Sequence, residues 1–517
     1  MKKLHIYLTV ACLVFMITPL RAIEVVELKQ PNSGKMVVKL MFRNGSICDP
    51  EGKEGLTALT AAMISEGGTS EMSSSQIKDV TYPWAASWYA SVDKEVTVLT
   101  FQFHKDFLDE FTDIMLGLVL DPAFSQDDFS RLHSNQENYV NEIIRASSDE
   151  EYSKKALEDL LFRNTNYQHM VEGTTAGLKN ITIDDVKEHY LSYFTKDNLM
   201  LGVAGNFDTA YLEQLKTKLA GLPELEAQLP LPGRANRPGG LQVEIISKEN
   251  ALGSAIFTGY PLYLTRKNDE FAALMVANSW LGEHRKSYSR LYKKIREERS
   301  MNYGDYTYIE WYENGGRNML PPPGVPRLSN YYSIWVRPVQ TAEGLKKQYE
   351  ELADIEVGHA HYAIRMALKE MQKLVDNGMS EEDFQLTRDF LRSYTKLYIQ
   401  TPARQLGYLM DSRFYSRTDF ISEVDELLAE LTVEDVNDVM RKYWQTDNMY
   451  IAIVTDDSEA EPLKNSLLKN TPSPMSYSDA LKATLPEEIL KEDEQVAIYP
   501  LNVTTVDIVD SDSTFRD

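Results

Sequence analysis

The sequence predicts an α+β protein made of two tandem homologous domains, each a β-sheet with helices packed on it. Three observations carry this expectation. Residues 181–198, ITIDDVKEHYLSYFTKDN, align without gaps on residues 431–448, LTVEDVNDVMRKYWQTDN, with identities at Thr182/Thr432, Asp185/Asp435, Val186/Val436, Tyr193/Tyr443, Asp197/Asp447 and Asn198/Asn448. Between the copies, residues 221–240 read GLPELEAQLPLPGRANRPGG, with eight Pro or Gly residues that break helix and strand alike. On either side, strand-like and helix-like patterns follow in the order strand, helix, helix, strand. The distance between copies is too long for a solenoid repeat, so it marks a duplicated domain.

Taken in order, residues 1–22 read as a secretory signal. Met1-Lys2-Lys3 is basic, Leu4 to Leu20 is mostly apolar, and Arg21-Ala22 ends on a small residue. Cleavage after Ala22 would place the mature chain in the periplasm or otherwise outside the cell. The competing readings are an uncleaved anchor, with Arg21 at its edge, and a lipid-modified Cys12, with Thr9 in an unsuitable place before it. No other stretch reaches the roughly 20 apolar residues of a membrane span.

The first domain is expected over 23–220. Strands are expected at Val37–Arg43 and Val96–Phe103, and helices at Gly55–Ser65, Phe107–Leu120 and Asp127–Arg145. After the linker, 221–240, the second domain is expected over 241–470. Its strands are Ser254–Tyr260 and Tyr331–Val336, and its helices Asp269–Leu281, His359–Val375 and Ser380–Ile399. Residues 313–330, with Pro321-Pro322-Pro323, read as a surface loop, and 471–517 as an acidic extension of no evident fold. Thr182 and Thr432 each precede an amphipathic helix with an acid three residues on, a variant of the capping box. Each helix then leads through Asp-Asn into an apolar strand, Leu199–Ala204 or Met449–Val454.

Composition narrows the function classes. Of 517 residues, 43% are hydrophobic and 26% charged, which is globular composition, and a mean hydropathy of −0.37 excludes a polytopic membrane protein. The 54 basic residues face 78 acidic ones, a net charge of −24 that repels a phosphate backbone, so nucleic acid is not an expected partner. Cys12 and Cys48 give no disulfide framework and no cysteine-based zinc cluster, and Cys48 is expected to be a small core or loop residue. G-x-S-x-G, the P-loop, G-x-G-x-x-G and C-x-x-C are all missing. His359-Ala360-His361 cannot grip one metal from a helix, because rings two residues apart diverge by roughly 200°. A solvated or helix-start role is expected for them.

Gly55-Leu56-Thr57-Ala58-Leu59-Thr60-Ala61-Ala62-Met63, followed by Glu66-Gly67-Gly68-Thr69, resembles the zinc-helix region of the pitrilysin/insulinase family, the inverted zincins. There the pattern reads roughly G-x-x-H-F-x-E-H-M and then G-T. Asp121-Pro122-Ala123-Phe124, Asp128-Phe129 and Arg131 resemble the same family's approach to its third metal ligand, and the resemblance extends through Tyr193–Asn206 and Ser289–Tyr303. In H-x-x-E-H, histidines at i and i+4 share a helix face, a distant glutamate completes the ligands, and the motif glutamate activates the bound water. Here those positions are Ala58, Ala61 and Ala62, and methyl groups neither bind zinc nor move protons. The third-ligand region offers Glu137 and Glu142, and the sequence does not choose between them. No metal or other cofactor is therefore expected in this chain, and its helix would serve packing.

In Ile295-Arg296-Glu297-Glu298-Arg299-Ser300-Met301-Asn302-Tyr303, Arg296 and Tyr303 resemble the arginine/tyrosine pair that in relatives contacts substrate near the scissile bond. A guanidinium and a phenol are donors suited to a peptide carbonyl as it becomes an oxyanion. The bland alternative is a helix-surface arginine beside a core aromatic. The family pairs two-domain halves into a clamshell, and some members divide zinc and the Arg/Tyr pair between two chains. The resemblance thus implies a secreted, non-catalytic half that pairs with a zinc-bearing homologous subunit and meets peptide substrates. The runner-up is a pseudo-enzyme peptide-binding or assembly protein that acts as a homodimer and captures peptides without cleaving them, and a third reading is a peptidase with other ligands.

Overall fold

The computed structural model describes residues 23–283, 286–302, 304–308 and 327–517. The signal segment and Cys12 lie outside the described residues. The first sheet contains β1 (Glu24–Lys29), β2 (Lys35–Phe42), β3 (Ser87–Val92), β4 (Thr97–His104) and β5 (Leu199–Gly205), in the order β1-β5-β2-β4-β3. The second contains β6 (Leu241–Ser247), β7 (Ser254–Pro261), β8 (Asp305–Tyr308), β9 (Tyr331–Val339), β10 (Met449–Thr455) and β11 (Val503–Asp510), in the order β11-β6-β10-β7-β9-β8. Without β11 the two orders coincide, and in each the parallel pair is the edge strand with the strand that follows the repeated helix. This is the α+β duplication that the sequence predicts.

The repeated segments fold alike because their caps are local. Thr182 caps helix Ile183–Tyr193 and Thr432 caps helix Val433–Tyr443, with reciprocal bonds in both boxes: Asp185 accepts from the Thr182 N–H at 2.8 Å, and Asp435 from that of Thr432 at 2.8 Å. Each helix then delivers the chain to a strand buried in its sheet, β5 or β10.

The two domains also exchange helices. Helix Asp149–Phe162 of the first lies on β7 and β10 of the second, and helix Pro402–Phe414 of the second lies on β1, β5 and β2 of the first. One apolar core consequently mixes Leu157 and Leu161 with Phe257, Trp335 and Val454, and another joins Val37 and Met200 to Leu406 and Met410. Gly202 permits the second contact, since a Cβ there would stand 2.3 Å from the Met410 sulfur. With helices over both faces, β2 is buried along nearly its whole length, which explains its almost continuous apolar run.

A buried ion cluster fixes the same junction. Arg327 of the second domain binds Asp93 at 2.7 Å and shares Asp411 with Arg266, while Glu95 accepts from the Leu328 N–H at 2.8 Å and from the Tyr167 hydroxyl at 2.5 Å. Arg327 is buried, so the described end of the expected surface loop is anchored in the interior; most of that loop, 313–326 with its prolines, lies outside the described residues. His359 does start helix Ala360–Asn377, but neither it nor His361 is solvated: both are buried, with His359 bound to the Ser476 carbonyl at 3.0 Å and His361 to Ser466 at 2.8 Å. Cys48 is free and buried.

Residues 471–517 are woven into both domains. Arg365 gathers the Thr471 and Tyr499 carbonyls at 2.8 and 2.9 Å, helix Glu487–Ala497 is pinned by Arg299, and β11 joins β6 in parallel. The last residues return to the first domain, where the Phe515 and Arg516 carbonyls accept from Thr175 at 3.1 Å and Ala176 at 2.8 Å.

Candidate functional site: a cleft beside a ligandless helix

Helix α1 (Leu56–Glu66) begins at Gly55, whose φ of 102° suits glycine and where a Cβ would meet the Glu172 carbonyl at 2.7 Å. Asp49 supplies the missing cap from upstream. Its carboxylate accepts from the Gly55 and Thr57 amides, both at 2.7 Å, and from the Thr57 hydroxyl at 2.6 Å. A buried acid at a helix N-terminus also meets the positive end of the helix dipole. His169 and His189 complete the support, His169 reaching Asp49 at 3.1 Å and His189 reaching Thr57 at 3.0 Å. Burial pushes the His189 ring down to about 4, so it is a neutral structural imidazole.

From this fixed start, Ala58 and Ala62 fall on one half-buried face of α1, and Ala61 is turned into the core of the first domain. Ala58 and Ala62 line a cleft of about 650 Å³ whose other walls are Ile77 and Lys78 of α2 (Ser74–Thr81), Val171, Glu172 and all six residues of β3. The Trp88 indole N–H donates to the Ser65 carbonyl at 2.6 Å and holds β3 against the end of α1.

The donor set does not fit zinc. Glu137 pairs with His133 at 3.4 Å, and Glu142 is exposed on a π-helical turn, Tyr139–Ile143; neither lines the cleft. The carboxylates that do are Glu66 and Glu172, and Glu172 is engaged by Lys155 at 3.3 Å. Among the described residues no group of three or more His, Cys, Asp or Glu could hold a metal ion.

Arg296 lies half-buried on a second π-helical turn, Tyr292–Glu297, whereas Tyr303 lies outside the described residues. The arginine that sequence reading passed over is Arg299. It is fully buried and binds Asp493 at 2.7 Å, Glu492 at 2.7 Å and the Tyr362 hydroxyl at 2.9 Å. Nothing local marks its burial, because Asp493 and Glu492 lie in the extension and Tyr362 on helix Ala360–Asn377.

Residues 24–177 match the family model described as insulinase (peptidase family M16), and residues 180–320 match that described as the peptidase M16 inactive domain. The chain belongs to the M16 family. Among M16 relatives, it is 20% identical over 422 residues to a protein of Helicobacter pylori called non-peptidase homolog YmxG, covering 81% of this chain and 88% of that one. It is 22% identical over 331 residues to the probable inactive metalloprotease YmfF of Bacillus subtilis, covering 63% and 66%. A solved peptidase M16 inactive domain from Pseudomonas fluorescens superposes with a TM-score of 0.70 at 17% identity, covering 84% of this chain and 96% of that one. A protease structure from Helicobacter pylori gives 0.68 at 14%, covering 84% and 97%. The chain is an inactive M16 peptidase homologue.

Proposed function

We propose that the chain is the non-catalytic subunit of a secreted, periplasmic zinc metallopeptidase complex, holding peptide for hydrolysis by a zinc-bearing M16 partner. The observation that carries this reading is the cleft, which persists although its metal ligands are gone. Six consecutive strand residues point alternately to opposite faces, so a cavity lined by all six of β3 runs along the strand's edge. β3 is the terminal strand of its sheet, and its outer N–H and C=O groups are those an extended peptide would pair with.

Within that complex, the chain's residues bind and orient. The β3 backbone would align the peptide, and the Arg296 guanidinium, with Tyr303, would donate to the substrate carbonyl as negative charge develops there. The metal and the attacking water belong to the partner.

The same cleft would serve a homodimeric peptide-binding protein, and one experiment separates the two. The chain is purified from its native source, analysed for zinc, and mixed with zinc-bearing M16 homologues of the same genome. Expected are no stoichiometric zinc, no peptidase activity alone, and chelator-sensitive activity on mixing. A stable homodimer that binds peptide and no homologue favours the second reading, and about one zinc per chain with activity alone refutes both.

A further inference from the structure

Through β11, the extension completes the floor of a second cavity, on the second sheet. Helix Asp149–Phe162 lies across this sheet, and beneath it the cross-strand row Val454–Ile246–Val509 joins the apolar core. The next two rows on the same face, Ala452–Glu244–Asp507 and Tyr450–Gln242–Thr505, are polar except at Ala452. Here the helix has ended. Leu160, Arg163 and Asn164 form one wall, Asn236 of the linker another, and the space between is a cavity of about 310 Å³. β11 supplies both Thr505 and Asp507, so the floor is whole only because the extension joins the sheet.

The polar groups of this floor are largely uncommitted. Arg163 donates through Nη2 to Asp159 at 2.7 Å and to Glu244 at 3.2 Å, which fixes the guanidinium at the rim and leaves Nε and Nη1 unused among the described residues. The side chains of Gln242, Tyr450, Thr505 and Asp507 make no hydrogen bond to any described residue, although Gln242 and Tyr450 are half-buried. Chemistry narrows what would satisfy them. Arg163 and the Gln242 amide N–H groups need acceptors, Asp507 needs donors, and Tyr450 and Thr505 take either. An anion would face Asp159, Glu244 and Asp507 against one arginine and be repelled. An ammonium brings donors only and leaves the arginine and amide N–H groups unmatched, and an apolar molecule strands them all. A hydroxyl both donates and accepts, and a ring bearing several hydroxyls also presents C–H groups that pack on the negative face of an aromatic ring. We propose that this cavity binds the pyranose ring of a saccharide, seated on Tyr450 and Gln242 and held at its hydroxyls by Asp507 and Arg163. The site is separate from the cleft beside α1, with which it shares no lining residue, and its occupation does not depend on peptide handling.

A free sugar and the end of a longer glycan share this chemistry, and the test separates them. Saturation-transfer difference NMR is recorded on the full mature chain with glucose, galactose, mannose and N-acetylglucosamine, then with maltose, cellobiose, lactose, chitobiose and the hexaoses of the glucose and N-acetylglucosamine series. Spermidine and succinate serve as cation and anion probes. At least one pyranose should show transfer, and Asp507→Ala, an exposed position, should weaken its binding roughly 10-fold or more in titration, with Gln242→Leu acting in the same direction. Tighter binding of an oligosaccharide than of its monosaccharide supports the site with a glycan as its source, and equal binding supports it with a free sugar. No transfer to any sugar overturns the site. A sugar held equally by the parent and both variants, each folded as judged by thermal melting, overturns it too, as does binding of spermidine or succinate with none of the sugars.

Discussion

The rings of Tyr152 and Phe515 meet edge to face, with centroids 5.3 Å apart, so the end of the chain is clasped by the first helix that the first domain lends to the second. The Tyr152 hydroxyl also donates to the Ser511 carbonyl at 2.8 Å, and Arg145 reaches the same carbonyl at 3.2 Å. A tail that leaves the second sheet through β11 and ends on the first domain works as a strap.

Removing residues 511–517 should therefore loosen the first domain more than the second. Hydrogen exchange should speed up at residues 139–147 and 174–180, next to the cleft residues Val171 and Glu172, while β6 and β10 keep their protection. Tyr152→Phe, which deletes the hydroxyl's bonds to the Ser511 carbonyl and the Thr514 hydroxyl, should cost about 1 to 3 kcal/mol in urea unfolding. Unchanged exchange in both segments would show the strap to be passive.

Arg296 and Arg299 should separate cleanly on substitution. Arg299→Ala leaves the buried Asp493 carboxylate with only the Tyr362 and Tyr477 hydroxyls, while Glu492 keeps Lys294, and loss of the cation from such a buried pair costs about 3 to 5 kcal/mol. Arg296→Ala, compared with the parent at equal folded fraction, should lower kcat of the assembled complex by about 10² to 10³, as for loss of one oxyanion donor, with Tyr303→Phe acting in the same direction. A rise in KM alone would instead assign Arg296 to uniform peptide binding.

Acid should destabilise the fold through its buried histidines. Burial lowers His189 and His359 to about 4 from an ordinary 6.5, so the unfolded chain takes up their protons first. Their contribution is complete above pH 6.5 and is lost as pH falls from there toward 4. Glu95 acts oppositely: burial, then the Asp93 charge, raise it to about 7 from 4.5, so its stabilising share grows as pH falls from 7 to 4.5. Urea midpoints between pH 4.5 and 8 should show a shallower acid loss in His189→Gln than in the parent and a steeper one in Glu95→Gln.

Thr182→Ala and Thr432→Ala should each cost about 1 kcal/mol, because both remove the same reciprocal cap. The sites share no partner, so the double variant should lose the sum. Unequal losses would mean that the two copies are not equally supported by their domains.

The repeated caps were legible because a capping box closes within four residues and needs no tertiary partner. The alanines at Ala58, Ala61 and Ala62 were legible for the same reason: a methyl group offers a metal no lone pair, and that is read from residue type alone. Fold class followed from the duplication, since two copies of one segment imply two copies of its domain.

What tertiary structure alone decided are relations between distant segments. β1, β3 and β11 escaped the periodicity reading because they mix apolar with polar residues, as β3 does in Ser-Trp-Tyr-Ala-Ser-Val. The exchange of helices between sheets, the Arg299 bond to Asp493 and the return of Phe515 to Tyr152 have no local signature. Each gains its free energy from desolvated contact between residues far apart in the chain, and sequence spacing does not encode that contact.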